Sequence, residues 1–505
     1  MVMQLSVVGA LMVGAIAYMV TSQNKFNLRS LRTERALWVA ETGAQRFLAG
    51  FKDRNDCMDN PTNTSCTGYW LDTWVPVHDE TAKTIGEYRV SLMDIDGVAP
   101  AAQGSKKRRI KVEGKVYDSK VGSTEVNMAK RVIGVQYEKM TLDNFAIASN
   151  HQLGGSRING GLRVYGGVFT AGRLGLDSSS TGVYNDYHDL DDSQNFQGYP
   201  IPAIPPTGEV YVYKDNVTNP PPNPNGGIEL SSQADLGTNT ARFKAIHTDA
   251  SVVDPGVGSP VDAATVGDSV VGNGQDTQVY ADKRDHDLPD VNFPDASANS
   301  TFMQARLADA TANGCVRGSS GAPLDLVLGT TSISGGTFAA GCSNFSYTVT
   351  GSGGSQTRVI NINGPVFIWG SISASASVTY TGKGAIFATG NSSFTESLTP
   401  ANPTDYPNNA ALGMVCSGNM TLGQGSGSGT HYAGSFFGNQ SVTITKAKIF
   451  GNVFGGTIEL PDGATRPDIY VHPEVRDKVG VPMPDFTNVR INKTNWWEMH
   501  SDAAK

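Results

Sequence analysis

The sequence predicts an α+β, mostly β protein. A long N-terminal α-helix leads into a small antiparallel sheet and then a large β-solenoid-like (β-helix) domain with an irregular insertion; a β-sandwich head is the alternative. Three observations lead there. Met1 to Phe51 carries no proline, the first being Pro61. Alternating apolar and polar strings follow. Beyond Asp143, Gly, Asn and Ser punctuate short apolar runs, as stacked coils require.

The helix has two halves. Met1 to Asn24 contains no charged side chain, whereas Lys25 to Phe51 interleaves Arg29, Arg32, Glu34, Arg35, Glu41 and Arg46 with apolar residues. At 1.5 Å per residue it reaches roughly 75 Å, and its apolar half of about 20 residues matches one bilayer crossing. Residues 1–51 are thus expected to form one helix whose apolar half is transmembrane. Its packing residues are Met1, Gln4, Leu5, Val8, Leu11, Leu28, Leu31, Trp38 and Glu41.

In the next segment, 52–142, Thr84–Met93, Arg109–Tyr117 and Arg131–Tyr137 alternate as half-buried strands. Such a sheet would cover the apolar stripe of the helix's second half. Segments 143–176 and 314–460 carry the coil texture: GPVFIWGSI, GAIFATGN, GSFFGNQS and GNVFGGTI set apolar runs between Gly or Asn corners. Residues 177–313, with YPIPAIPPTGE and NPPPNPNGG, are expected to be a Pro/Asp-rich insertion of irregular structure. The tail 461–505 is expected to cap the open end of the coils.

Composition narrows the function. A formal net charge of −8 argues against a nucleic-acid partner, which would call for a basic face. With 58 glycines and only 17% charged residues, the balance suits an extracellular β-rich protein. Of the five cysteines, Cys57 with Cys66 and Cys315 with Cys342 are disulfide candidates, leaving Cys416 unpaired and favouring an oxidising compartment. The first residues lack the basic region of a signal peptide, so Met1 is expected to be a processed N-terminus.

Chemistry is sparse. Between Val359 and Phe394 the sole ionisable side chain besides Tyr is Lys383, which leaves a polysaccharide-cleaving groove without its carboxylates. No enzyme is expected, and no cofactor except calcium. Asp186, Asp189, Asp191 and Asp192 gather oxygen donors of the kind calcium prefers. Tyr184, Tyr187, Phe196, Trp496 and Trp497 are candidate contacts for a surface glycan, with packing as the simpler role.

The opening region resembles a type IV pilin-like protein. The string Ala36-Leu37-Trp38-Val39-Ala40-Glu41-Thr42-Gly43-Ala44-Gln45-Arg46 looks like the AEAG-containing stretch of PilX-type minor pilins, over residues 1–51 only. The resemblance implies a structural subunit of an extracellular, bacterial type IV pilus-like filament. Its helices would pack into the filament core and its β-rich domain would be exposed for adhesion or subunit contacts. It also implies an inner-membrane precursor stage. The partners would be identical or related pilin subunits, a prepilin peptidase and the pilus assembly machinery. Major pilins place a glutamate near the mature N-terminus, where this chain offers Gln4 and Ser6, which shifts the emphasis to a minor or unusual subunit. The alternatives are a membrane-anchored monomeric adhesin and, further off, a polysaccharide-active β-helix enzyme.

Overall fold

The structure is a computed structural model. It describes residues 2–53, 72–94, 107–117, 119–121, 124–126, 128–139, 141–149, 153–159, 162–170, 174–177, 182–184, 198–200, 202, 210–212, 228–231, 235–236, 245–248, 252–254, 259–261, 278–281, 301–334, 338, 341–423, 429–460, 467–486 and 491–499. In several strands and in the helix up to residue 14 the description is of the backbone alone. The protein is mostly β, with one long N-terminal helix and a small antiparallel sheet. It divides into two compact units, Met1–Thr141 with Val489–Lys505, and Leu142–Asn488.

In the first unit the helix Val2–Asp53 lies on a five-stranded sheet in the order Val75–His78, Thr84–Met93, Lys107–Val116, Ala129–Lys139, Ile491–Met499. Every pairing is antiparallel. Ala36, Val39, Ala40, Ala44 and Phe47 recur at three- and four-residue spacing, so they share one face of the helix. That face is buried against Tyr88, Val90, Ile110, Val112, Ile133, Val135 and Tyr137. The Tyr137 hydroxyl donates to the Ala44 carbonyl at 2.8 Å. Small residues let the backbones meet: a Cβ on Gly114 would lie 2.2 Å from the Ala36 carbonyl oxygen.

The opposite face of the sheet is ionic. Glu113, nearly buried, takes Arg89 at 2.7 Å, Lys130 at 3.0 Å and Lys111 at 3.4 Å. Burial pushes the Glu113 carboxyl up, but hydrogen bonds from Lys130 and Arg89 outweigh it and hold the group below its ordinary value. Trp497 covers Gly134, its cross-strand partner, and lies under the Arg109 guanidinium, 5.6 Å from the ring centroid.

The second unit is built of parallel ladders. Phe145–Ser149, Gly167–Thr170, Val210–Val212, Ala245–Thr248 and Gln278–Ala281 stack in one direction. Val316–Arg317, Thr357–Ile368, Val378–Ala388, Ala411–Cys416, Thr430–Ile444 and Ala447–Glu459 stack towards them from the other. The two series join where Ala447–Glu459 pairs with Phe145–Ser149 and Asp468–Tyr470 with Arg163–Tyr165. The chain therefore enters the stack in its middle, runs to one end, and returns from the other. Val, Ile, Leu and Phe from both series fill one continuous interior. Beside it, Tyr184, Tyr165, Tyr470, Phe450 and Tyr199 form an aromatic column with successive centroids 5.2, 4.7, 5.2 and 4.5 Å apart.

The entry and exit of this unit are clamped together. The buried Arg476 pairs with Asp143 at 3.3 Å and lies 3.9 Å from Asp485, which accepts the Leu142 amide at 2.9 Å. Arg476 also donates to the Pro484 carbonyl.

Two expected domain boundaries need correction. Residues 177–313 are not an irregular insertion between coils, because among the described residues eight strands within them extend the parallel ladders or pair with a strand that does. Those strands have two to four residues, too short for periodicity to betray them. The tail is not a cap over 461–505 either: Asp468–Tyr470 belongs to the ladders, and Ile491–Met499 returns to the small sheet.

Candidate assembly surface

The helix carries the candidate surface. Every side chain from residue 15 to 31 is exposed, and these include Ile16, Tyr18, Met19, Val20, Phe26, Leu28 and Leu31. Apolar groups on all sides of one helix are costly in water at about 25 cal/mol per Å². Three of its hydroxyls are satisfied internally: Thr21, Thr33 and Thr42 donate to the carbonyls of Ala17, Arg29 and Trp38 at 2.7, 2.8 and 2.8 Å. In the uncharged half, the Thr21 hydroxyl thus needs no water.

Where the helix meets the sheet, Trp38, Glu41, Thr42, Ala44 and Gln45 form a groove of about 500 Å³ with Trp496 of the edge strand. Trp38 is 65% and Trp496 40% exposed. Trp496 stands opposite Val135 in the strand register, on the helix side of the sheet.

Of the expected packing residues, Leu28, Leu31, Trp38 and Glu41 are exposed. Gln4, Leu5, Val8 and Leu11 lie on the helix with only their backbone described, and Met1 is outside the described residues. Among the described residues no helix is long and apolar enough to cross a membrane. Most of the apolar half falls on side chains outside that set.

A disulfide joins Cys315 to Cys342, and Cys416 is a buried thiol pushed up to about 12 by burial. Cys57, Cys66, Asp186, Asp189, Asp191, Asp192, Tyr187 and Phe196 lie outside the described residues. Among the described residues no group of three or more His, Cys, Asp or Glu is placed to hold a metal. Tyr184 is not an exposed glycan contact but a buried member of the aromatic column. Trp496 lines the same groove as Trp38 from 458 positions away in the chain (496 − 38), a placement that no local spacing signals.

No family model matches the chain, and no curated protein matches it. Among solved structures, it is similar to the competence-associated pilin ComZ from Thermus thermophilus. The TM-score is 0.51 at 15% identity, over 93% of this chain and 97% of that one. In fold, the chain is similar to a pilin. The likeness spans nearly the full length of both chains, so it covers more than the helix that first suggested it.

Proposed function

We propose that this chain is a structural subunit of an extracellular type IV pilus-like filament, its N-terminal helices forming the core and its β-rich unit facing outward. The observation that carries this reading is the helix from residue 15 to 31, exposed on every side and rich in large apolar groups. A bundle of like helices would bury them, and a bilayer would hold them before assembly. The likeness in fold to a solved pilin supports the same role. The parallel ladders favour a stacked-coil β-solenoid over a β-sandwich for the second unit. Gln4 and Ser6, together with the Ala40-Glu41-Thr42-Gly43 string, favour a minor or unusual subunit with a PilX-like helix. The exposed unit then serves adhesion or contacts between neighbours, and the chain is not an enzyme.

The test places a charge in the apolar helix. Val8→Asp, in full-length chain expressed with a pilus assembly system, is expected to abolish filaments in surface-sheared material while the Cys315–Cys342 disulfide still forms. Unchanged filaments would sink the reading. A membrane-anchored monomer, the second reading, predicts no filaments from the native chain.

A further inference from the structure

The helix face that the sheet covers from Ala36 onward is bare further up. Counting back from Ala36, Ala40, Gly43 and Phe47 at helical spacing leads to Arg29, Phe26, Ser22 and Tyr18. All four are exposed, Phe26 at 72% and Tyr18 at 77%. Lys25 flanks this stripe, which thus carries two cations, two aromatics and no acid. The groove presents the complement: two exposed tryptophans and Glu41, the one ionisable group among its six lining residues. Among the described residues Glu41 has no ion-pair partner.

We propose that the groove of one copy receives the bare stripe of a second copy of this chain, its helix parallel and displaced along the axis. One displacement satisfies both chemistries. Shifting the second helix by twelve residues sets Phe26 at the level of Trp38 and Arg29 at the level of Glu41 (26 + 12 = 38; 29 + 12 = 41). That is about 18 Å at 1.5 Å per residue. The aromatic pair buries apolar surface between the rings, and the guanidinium meets the carboxylate beside them. Groove and stripe occupy different parts of the surface, so the contact is head-to-tail and leaves a free groove and a free stripe on every pair. It propagates rather than closing into a dimer. This inference rests on the filament reading and names the surface that reading uses.

Cysteine cross-linking tests it while leaving all four key residues in place. The same twelve-residue shift brings Thr33 to the level of Gln45 (33 + 12 = 45). Thr33→Cys and Gln45→Cys, in separately tagged full-length copies, are expected to form a mixed disulfide on mild oxidation of assembled material. Each variant with the native chain sets the background. Glu41→Arg should lower the mixed product about tenfold, and Arg29→Glu in the same chain should restore most of it. Filaments without the mixed disulfide would overturn the inference and leave the filament reading standing. Absence of both would overturn the two together. Capture of a different pilin-like protein at Gln45→Cys, in place of a second copy, would also overturn it.

Discussion

A Cβ at Gly114 would lie 2.2 Å from the Ala36 carbonyl oxygen and 2.5 Å from the Ala40 amide nitrogen, both backbone atoms that cannot swing aside. A Cβ on Gly43, on the helix, would lie 2.6 Å from the Tyr88 ring and 2.9 Å from a Val112 methyl, both side-chain atoms. Gly114→Val should therefore destabilise the first unit by at least about 3 kcal/mol, the upper range of overpacking costs. Urea unfolding followed by tryptophan fluorescence would measure it. Gly329→Ala, with nothing within 4 Å of the added carbon, should stay within about 0.5 kcal/mol and serves as the control. At this scale the sequence was partly readable. Gly43 stands inside the string that suggested a pilin, but nothing near Gly114 announces a helix crossing over it. A glycine in a strand has many explanations, and only the fold selects one.

Among the elements, strands that alternate or that set a long apolar run between Gly or Asn corners are legible in the sequence, and the shortest strands are not. The sequence places a strand at Thr84–Met93, over the residues it occupies; Arg131–Tyr137 falls within a strand two residues longer at each end, and Arg109–Tyr117 starts two residues late and runs one residue past Lys107–Val116. Half-buried strands write their two faces into the chain. The short strands between Gly182 and Ala281 have too few residues to do so, and the edge strand Ile491–Met499 pairs with a partner far back in the chain. The clamp that joins such distant segments is testable. Arg476→Met leaves the buried Asp143 carboxylate without its cation, and should cost the second unit about 3–5 kcal/mol. Adding Asp143→Leu should recover much of that loss in thermal unfolding, since the stranded charge is then gone. Equal destabilisation in the single and double variants would show that the ion pair itself contributes little.

For the whole molecule, the decisive feature is where the second unit is inserted. Lys139 and Ile491 are register partners in adjacent antiparallel strands, so the second unit is inserted in the chain between two strands that a short turn could join. Replacing residues 140–490 with Asn-Gly, a two-residue turn suited to antiparallel strands, should leave the first unit able to fold. Circular dichroism and a cooperative thermal transition would check this, and a chain without either would show that the two units depend on each other. The same insertion governs the timing of folding. Phe145–Ser149 is made early, yet the strand that seals its flank, Ala447–Glu459, comes roughly 300 residues later, some 15–60 s at about 5–20 residues per second. Until then the edge bears open hydrogen-bonding groups, including the Phe145 carbonyl that later accepts from Asn452 at 2.6 Å. Newly made chains thus pass through an interval in which this seam is open to pairing with other chains, and a chaperone that shields one short strand would protect the entire second unit.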